Sequence, residues 1–125
     1  MLGHENAIAT IAVRNVTAAK KFYEDTLGLE PVGNGQSEAP LYQSGKSRVL
    51  VYQSQYAGTN KATAATWDVE GDLEPIVKDL RSKGVSFEHY DLPGLTRKGD
   101  IHVGHGLKTA WFKDPDGNIL ALVGR

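Results

Sequence analysis

Apolar residues alternate loosely along "AIATIAV", residues 7–13, between polar boundaries. That pattern predicts a strand, with Ile8, Thr10 and Ala12 on one face and Ala9, Ile11 and Val13 on the other. The next stretch, "NVTAAKKFYEDTLG", repeats its apolar positions Val16, Ala19, Phe22, Tyr23, Thr26 and Leu27 at helical spacing. Asn15 or Thr17 is suited to cap this helix and Gly28 to close it. Its Phe22/Leu27 side is expected to pack on a sheet. Short strands are expected at 29–32, about 39–44 and 47–53, with Ser44-Gly45-Lys46-Ser47 as the hairpin loop between the last two.

After the polar connection 54–61 the order repeats. "ATAATWDV" (62–69) predicts a strand, and "GDLEPIVKDLRSKG" (71–84) a helix with a Leu73, Ile76, Val77 and Leu80 stripe. "VSFEHY" (85–90) predicts a strand, 91–107 a glycine-rich loop, and 108–113 and 118–123 two further strands. The unit strand–helix–strand–strand–strand therefore occurs twice. The fold class expected is α+β: two βαβββ modules, about 7–54 and 62–123, forming a curved, cup-like mixed sheet with two outer helices.

Length and composition narrow the reading. A chain of 125 residues with 40% hydrophobic residues fits one domain, 1–125, with its own core. The net charge of −1 and the scattered basic residues at 78–83 and 97–98 give no field for nucleic acid or a membrane surface. No apolar run reaches the roughly 18 residues of a membrane span. The lack of cysteine removes disulfides, thiolate chemistry and Cys-bound zinc. The expected setting is cytoplasmic.

The DPDGN stretch, residues 114–118, has turn chemistry throughout: Pro115 sets φ, Asp114 and Asp116 can bond nearby backbone, and Gly117 accepts positive φ. It reads as a hairpin corner. Taken with "AVRNVTAAKKFYEDTLGLEPV" and the repeat, "AWFKDPDGNILAL" resembles the vicinal oxygen chelate superfamily, the group of glyoxalase, bleomycin-resistance and extradiol dioxygenase proteins. The resemblance runs over about residues 7–123. It implies the cup of two modules and, in many members, a divalent ion inside it. Carried over position by position, the ligand sites it implies fall on Ile8, Val51, Ala64 and Ala121. None of these side chains donates to a metal. The cofactor expectation is none, with a divalent metal at a non-standard site as the alternative.

The cup wall is expected to hold a ligand with Ile8, Thr10, Val51, Ala64, Thr66, Phe112 and Ala121. Ala110 and Ile119 would join them if the last hairpin loop has four residues, and Trp67 and Trp111 have the parity of helix-packing core. For acid–base or metal chemistry the candidates are His102 and His105 in a surface loop or lid, and Glu88 and Tyr90 on one face of a strand. The expected function is metal-independent binding of an apolar or aromatic small molecule by a homodimer. The alternatives are a glyoxalase- or dioxygenase-like metalloenzyme with a rearranged site, and a metal-free enzyme acting on a small carbonyl compound.

Overall fold

The computed structural model describes residues 1–33 and 38–125. Strand β1 (Ala9–Val13) buries Ile11 and Val13 and leaves Thr10 exposed, as alternation requires. Helix α1 (Val16–Lys20) starts where the Asn15 side chain accepts the backbone N–H of Ala18 at 3.0 Å. The predicted helix continues in a wider winding: Lys21–Thr26 form a π-helical segment that buries Tyr23. Gly28, at φ +76°, closes it.

Three strands follow: β2 (Glu30–Pro31), β3 (Leu41–Ser44) and β4 (Ser47–Gln53). Gly45, at φ +57°, makes the two-residue turn between β3 and β4. The first sheet runs β1-β4-β3-β2, with β1 parallel to β4.

The second module repeats the order with one addition. Strand β5 (Thr63–Asp68) leads to α2 (Glu74–Ser82), whose Val77 and Leu80 are buried behind Leu73. Strand β6 (Phe87–Glu88) pairs with β9 (Leu107–Lys113), as β2 pairs with β3. Between them, the stretch expected to be a glycine-rich loop folds instead into a hairpin, β7 (Thr96–Lys98) and β8 (Ile101–Gly104). The β-branched alternation of Ile101 and Val103 supplies its inner face, and Gly99, at φ +63°, its turn. Strand β10 (Ile119–Gly124) completes a sheet of order β5-β10-β9-β8-β7.

Strands β1 and β5 lie side by side, so the two sheets form one curved wall. Both helices cover its convex face. There Ile11, Val13, Tyr23, Val51, Leu73, Val77, Phe112 and Leu120 make a single core. The concave face is left open. Among the described residues, no helix is long and apolar enough to cross a membrane.

Candidate functional site

Strand register decides which side chains reach the concave face. In β1 these are Thr10 and Ala12, with Ile8 continuing the row at 45% exposure. In β5 they are Ala64, Thr66 and Asp68, all exposed. Parallel pairing sets Thr66 level with Ala121 of β10, and antiparallel pairing sets Ala121 opposite Trp111 of β9. A band of Thr66, Ala121 and Trp111 therefore crosses the second module.

Two residues expected on this wall lie behind it. Val51 pairs in parallel with Ile11, so both share the helix side, and Val51 is 0% exposed. Its neighbours Leu50 and Tyr52 face the cup instead. Phe112 is likewise 0% exposed, packed edge-on against Phe87 with ring centroids 5.7 Å apart. The cause is the length of the last loop. Five residues, 114–118, separate the pair Lys113–Ile119, so Ala121 opposes Trp111 rather than an even-numbered neighbour. One residue in a loop turns the strand over. Ala110 is buried on the core side with Phe112, and Trp111, expected in the core, belongs to the concave face. Trp67 does pack against the core.

At one end of the face stands an aromatic corner. The rings of Tyr90 and His102 meet Trp111 nearly perpendicular, at centroid distances of 5.2 and 4.8 Å. His102 is not a surface-loop residue. It sits in β8, level with Thr109 of β9, and is 1% exposed. The backbone N–H of Tyr90 donates to its Nε2 at 3.0 Å. The neutral imidazole therefore carries its proton on Nδ1. That Nδ1 and the Tyr90 hydroxyl are both buried without a hydrogen-bond partner. Each such group costs on the order of 1–3 kcal/mol. Burial, then the charge of Glu88, raises the pKa of the Tyr90 phenol, and Lys113 opposes the shift. Glu88 itself pairs with Lys113 at 3.4 Å, opposite Trp111 in the ladder.

A strap, residues 91–95, packs against the end of β8 and the β8–β9 turn. A side chain at Gly104 would run into the carbonyl of Gly94, and one at Gly94 would meet Nε2 of His105 at 2.8 Å. Glycine at both positions permits the approach. His105 itself is exposed, at φ +55° in the β8–β9 turn. The His89 ring lies 6.5 Å from that of His102, and its Nε2 lies 2.7 Å from Asp100. A cavity of about 330 Å³ opens between the strap and β7, lined by His89, Tyr90, Asp91, Leu95, Arg97 and His102. A second, about 470 Å³, lies on the convex side between the helices, lined by Leu27, Trp67, Ile76, Leu80 and Phe112 among others. The polar groups at its mouth satisfy each other: Lys83 pairs with Asp79 and reaches the carbonyl of Thr26.

A divalent ion does not fit the concave face. The implied positions carry Ile8, Val51, Ala64 and Ala121. Of their neighbours, Thr10, Tyr52 and Thr66 add only hydroxyls, and the Asp68 carboxylate at the end of β5 pairs with Arg125 at 3.3 Å. Among the described residues, no three His, Asp or Glu side chains gather as a metal site, so His102, His105 and Glu88 are not brought together in one. Sequence reasoning missed Trp111 and Arg97. The five-residue loop count carried the signal for Trp111. Nothing local revealed that β7 and β8 would bring Arg97 level with His102.

The sequence model of the Glyoxalase/Bleomycin resistance protein/Dioxygenase superfamily matches residues 6–122. No curated protein matches the chain. Among solved structures, a glyoxalase family protein from Enterococcus faecalis is similar at 23% identity and a TM-score of 0.72, over 98% of this chain and 99% of that one. An integron cassette protein from the mobile metagenome of the Halifax Harbour sewage outfall has 21% identity and a TM-score of 0.72, with the same coverage. Lactoylglutathione lyase from Agrobacterium tumefaciens has 16% identity and a TM-score of 0.66, over 97% and 93%. At these identities the likeness is one of fold.

Proposed function

Because the chain belongs to the Glyoxalase/Bleomycin resistance protein/Dioxygenase superfamily, we propose that it is a metal-independent member that holds an apolar or aromatic small molecule on its concave face. One observation carries the reading. The positions where the resemblance implies metal ligands hold hydrocarbon side chains, while the same face presents Ile8, Thr10, Tyr52, Thr66 and Trp111 to a ligand. Ile8 and Tyr52 are 45% and 40% exposed. Covering about 100 Å² of such surface contributes about 2.5 kcal/mol. Small apolar walls with a few hydroxyls are the usual make-up of a ligand pocket.

The convex cavity is the weaker candidate, since its polar rim is already paired and presents no group in need of a ligand. A rearranged metal site has no gathered donor set among the described residues to support it. Strands β2 and β7 end the two sheets, and covering such edges by pairing chains supports a homodimer. The cysteine-free composition fits work in the cytoplasm.

The two tryptophans lie on opposite faces and so report separately. Trp67→Phe leaves only Trp111, and Trp111→Phe leaves only Trp67. Titration with anilinonaphthalene sulfonate should give saturable quenching of Trp111 and none of Trp67. A response from Trp67 alone would move the ligand to the convex cavity and overturn the reading. Elemental analysis of protein purified without chelator should find no stoichiometric metal, and finding one would overturn metal independence.

A further inference from the structure

We propose that Tyr90 and His102 form the polar end of the concave site and select ligands that carry an sp² oxygen on an aromatic ring, as an aryl carbonyl or aryl carboxylate. This rests on the concave-face reading above.

Two hydrogen-bonding groups at this corner want the same thing. The Nδ1–H of His102 is a donor because Nε2 already accepts from the backbone of Tyr90. The Tyr90 hydroxyl is a donor as well, and neither has a partner among the described residues. Both rings stand edge-on to Trp111, beside the band that leads to Ala121 and Thr66. An aromatic ring lying along that band meets the indole, and an oxygen attached to it meets the two donors. An ammonium head group has no lone pair to accept the Nδ1–H of His102.

The charges around the corner leave neutral and anionic oxygen both admissible. Glu88 is paired with Lys113, and Asp91 and Arg97 both line the adjoining cavity. A cavity of about 330 Å³ adjoins the two side chains. Nδ1 and the hydroxyl are shut from solvent, so a ligand reaches them only as the side chains packed around them move.

The test uses full-length protein with Trp67→Phe, and follows the Trp111 indole resonance by NMR. The probes are acetophenone, benzoate and ethylbenzene, which share the ring and differ in the oxygen. Acetophenone or benzoate should bind about tenfold more tightly than ethylbenzene, the worth of one hydrogen bond. In Tyr90→Phe and His102→Leu that preference should shrink towards unity. Tyr90→Phe should also leave the Tm of the unliganded protein unchanged or raised, since an unpartnered hydroxyl is removed. It keeps the test open if His102→Leu fails to fold. Equal binding of all three probes, or a preference that survives both substitutions, overturns this inference and leaves the concave-face reading standing. A lowered Tm in Tyr90→Phe with an intact preference assigns the hydroxyl a structural role and overturns it too. Absence of binding by every probe overturns both.

Discussion

Nδ2 of Asn118 donates to the backbone carbonyl of Ala12 at 2.7 Å, tying the last hairpin turn of the second module to the first strand of the first. The reverse tie exists as well: Nε1 of Trp67, in β5, donates to Oγ of Ser44 at the β3–β4 turn, at 2.9 Å. Each module's hairpin turn thus grips the other module's leading strand. The DPDGN corner is a joint between modules, held by Asp114. Its carboxylate accepts from Tyr23 at 2.7 Å, from the backbone of Asp116 and Asn118, and from the Asn118 side chain.

Asn118→Ala removes the tie to Ala12 and one donor to the buried carboxylate of Asp114. Destabilisation of about 2–4 kcal/mol is expected, from two hydrogen bonds of which one is to a charged group. Urea unfolding measures it. A change under about 0.5 kcal/mol, the level of an ordinary surface substitution, would show that the joint is not needed.

Gly58 sits against the carbonyl of Asp116 with φ +71°, so a methyl group there has no room. Gly58→Ala should cost about 3 kcal/mol, from left-handed strain together with displacement of the joint. Gly45, at φ +57°, has open space around its Cα, and Gly45→Ala should cost only about 1 kcal/mol. Equal losses in thermal melts of the two variants would contradict the packing of 54–61 on the DPDGN turn.

The phenol of Tyr23 is pushed far above its ordinary pKa by burial first, and then by the charge and hydrogen bond of Asp114. Tyr42 is shifted the same way by burial and then by its hydrogen bond to Glu24. A folded pKa above the unfolded one means that the folded state keeps its proton longer. The stabilisation is complete below the unfolded value, about 10, and is lost as pH rises through and beyond it. Unfolding free energy should therefore fall above about pH 10. In Tyr23→Phe that fall should be shallower, after a loss of about 1–3 kcal/mol at neutral pH for the missing bond. An unchanged slope in the variant would assign the alkaline loss to other groups.

Val51 and Thr10 test which face is which. Val51→Ala, behind the wall, should lower stability by about 2–3 kcal/mol through the cavity it leaves, and spare probe binding at Trp111. Thr10→Arg, on the open face, should leave stability nearly unchanged and weaken the probe. The reverse pattern in paired melts and titrations would mean that the register of β1 and β4 is inverted.

Local pattern determined most of the architecture. The alternation in "AIATIAV", the helical spacing from Val16 to Leu27 and the stripe of α2 are properties of short stretches, and the repeat arranges them into two modules. The apolar character of Ile8, Ala64 and Ala121, and with it the misfit to a divalent ion, is also written in the sequence. What the chain alone left open is whatever depends on counting across a loop or bringing distant segments together. A turn of five residues rather than four put Trp111 on the open face and Phe112 in the core. Parallel pairing with Ile11 sent Val51 behind the wall. The β7–β8 hairpin placed His102 under Tyr90 and against Trp111, contacts between segments with no shared local pattern. Side-chain facing in a sheet has period two, so a single residue of loop length reverses it, and only the paired strands fix that residue.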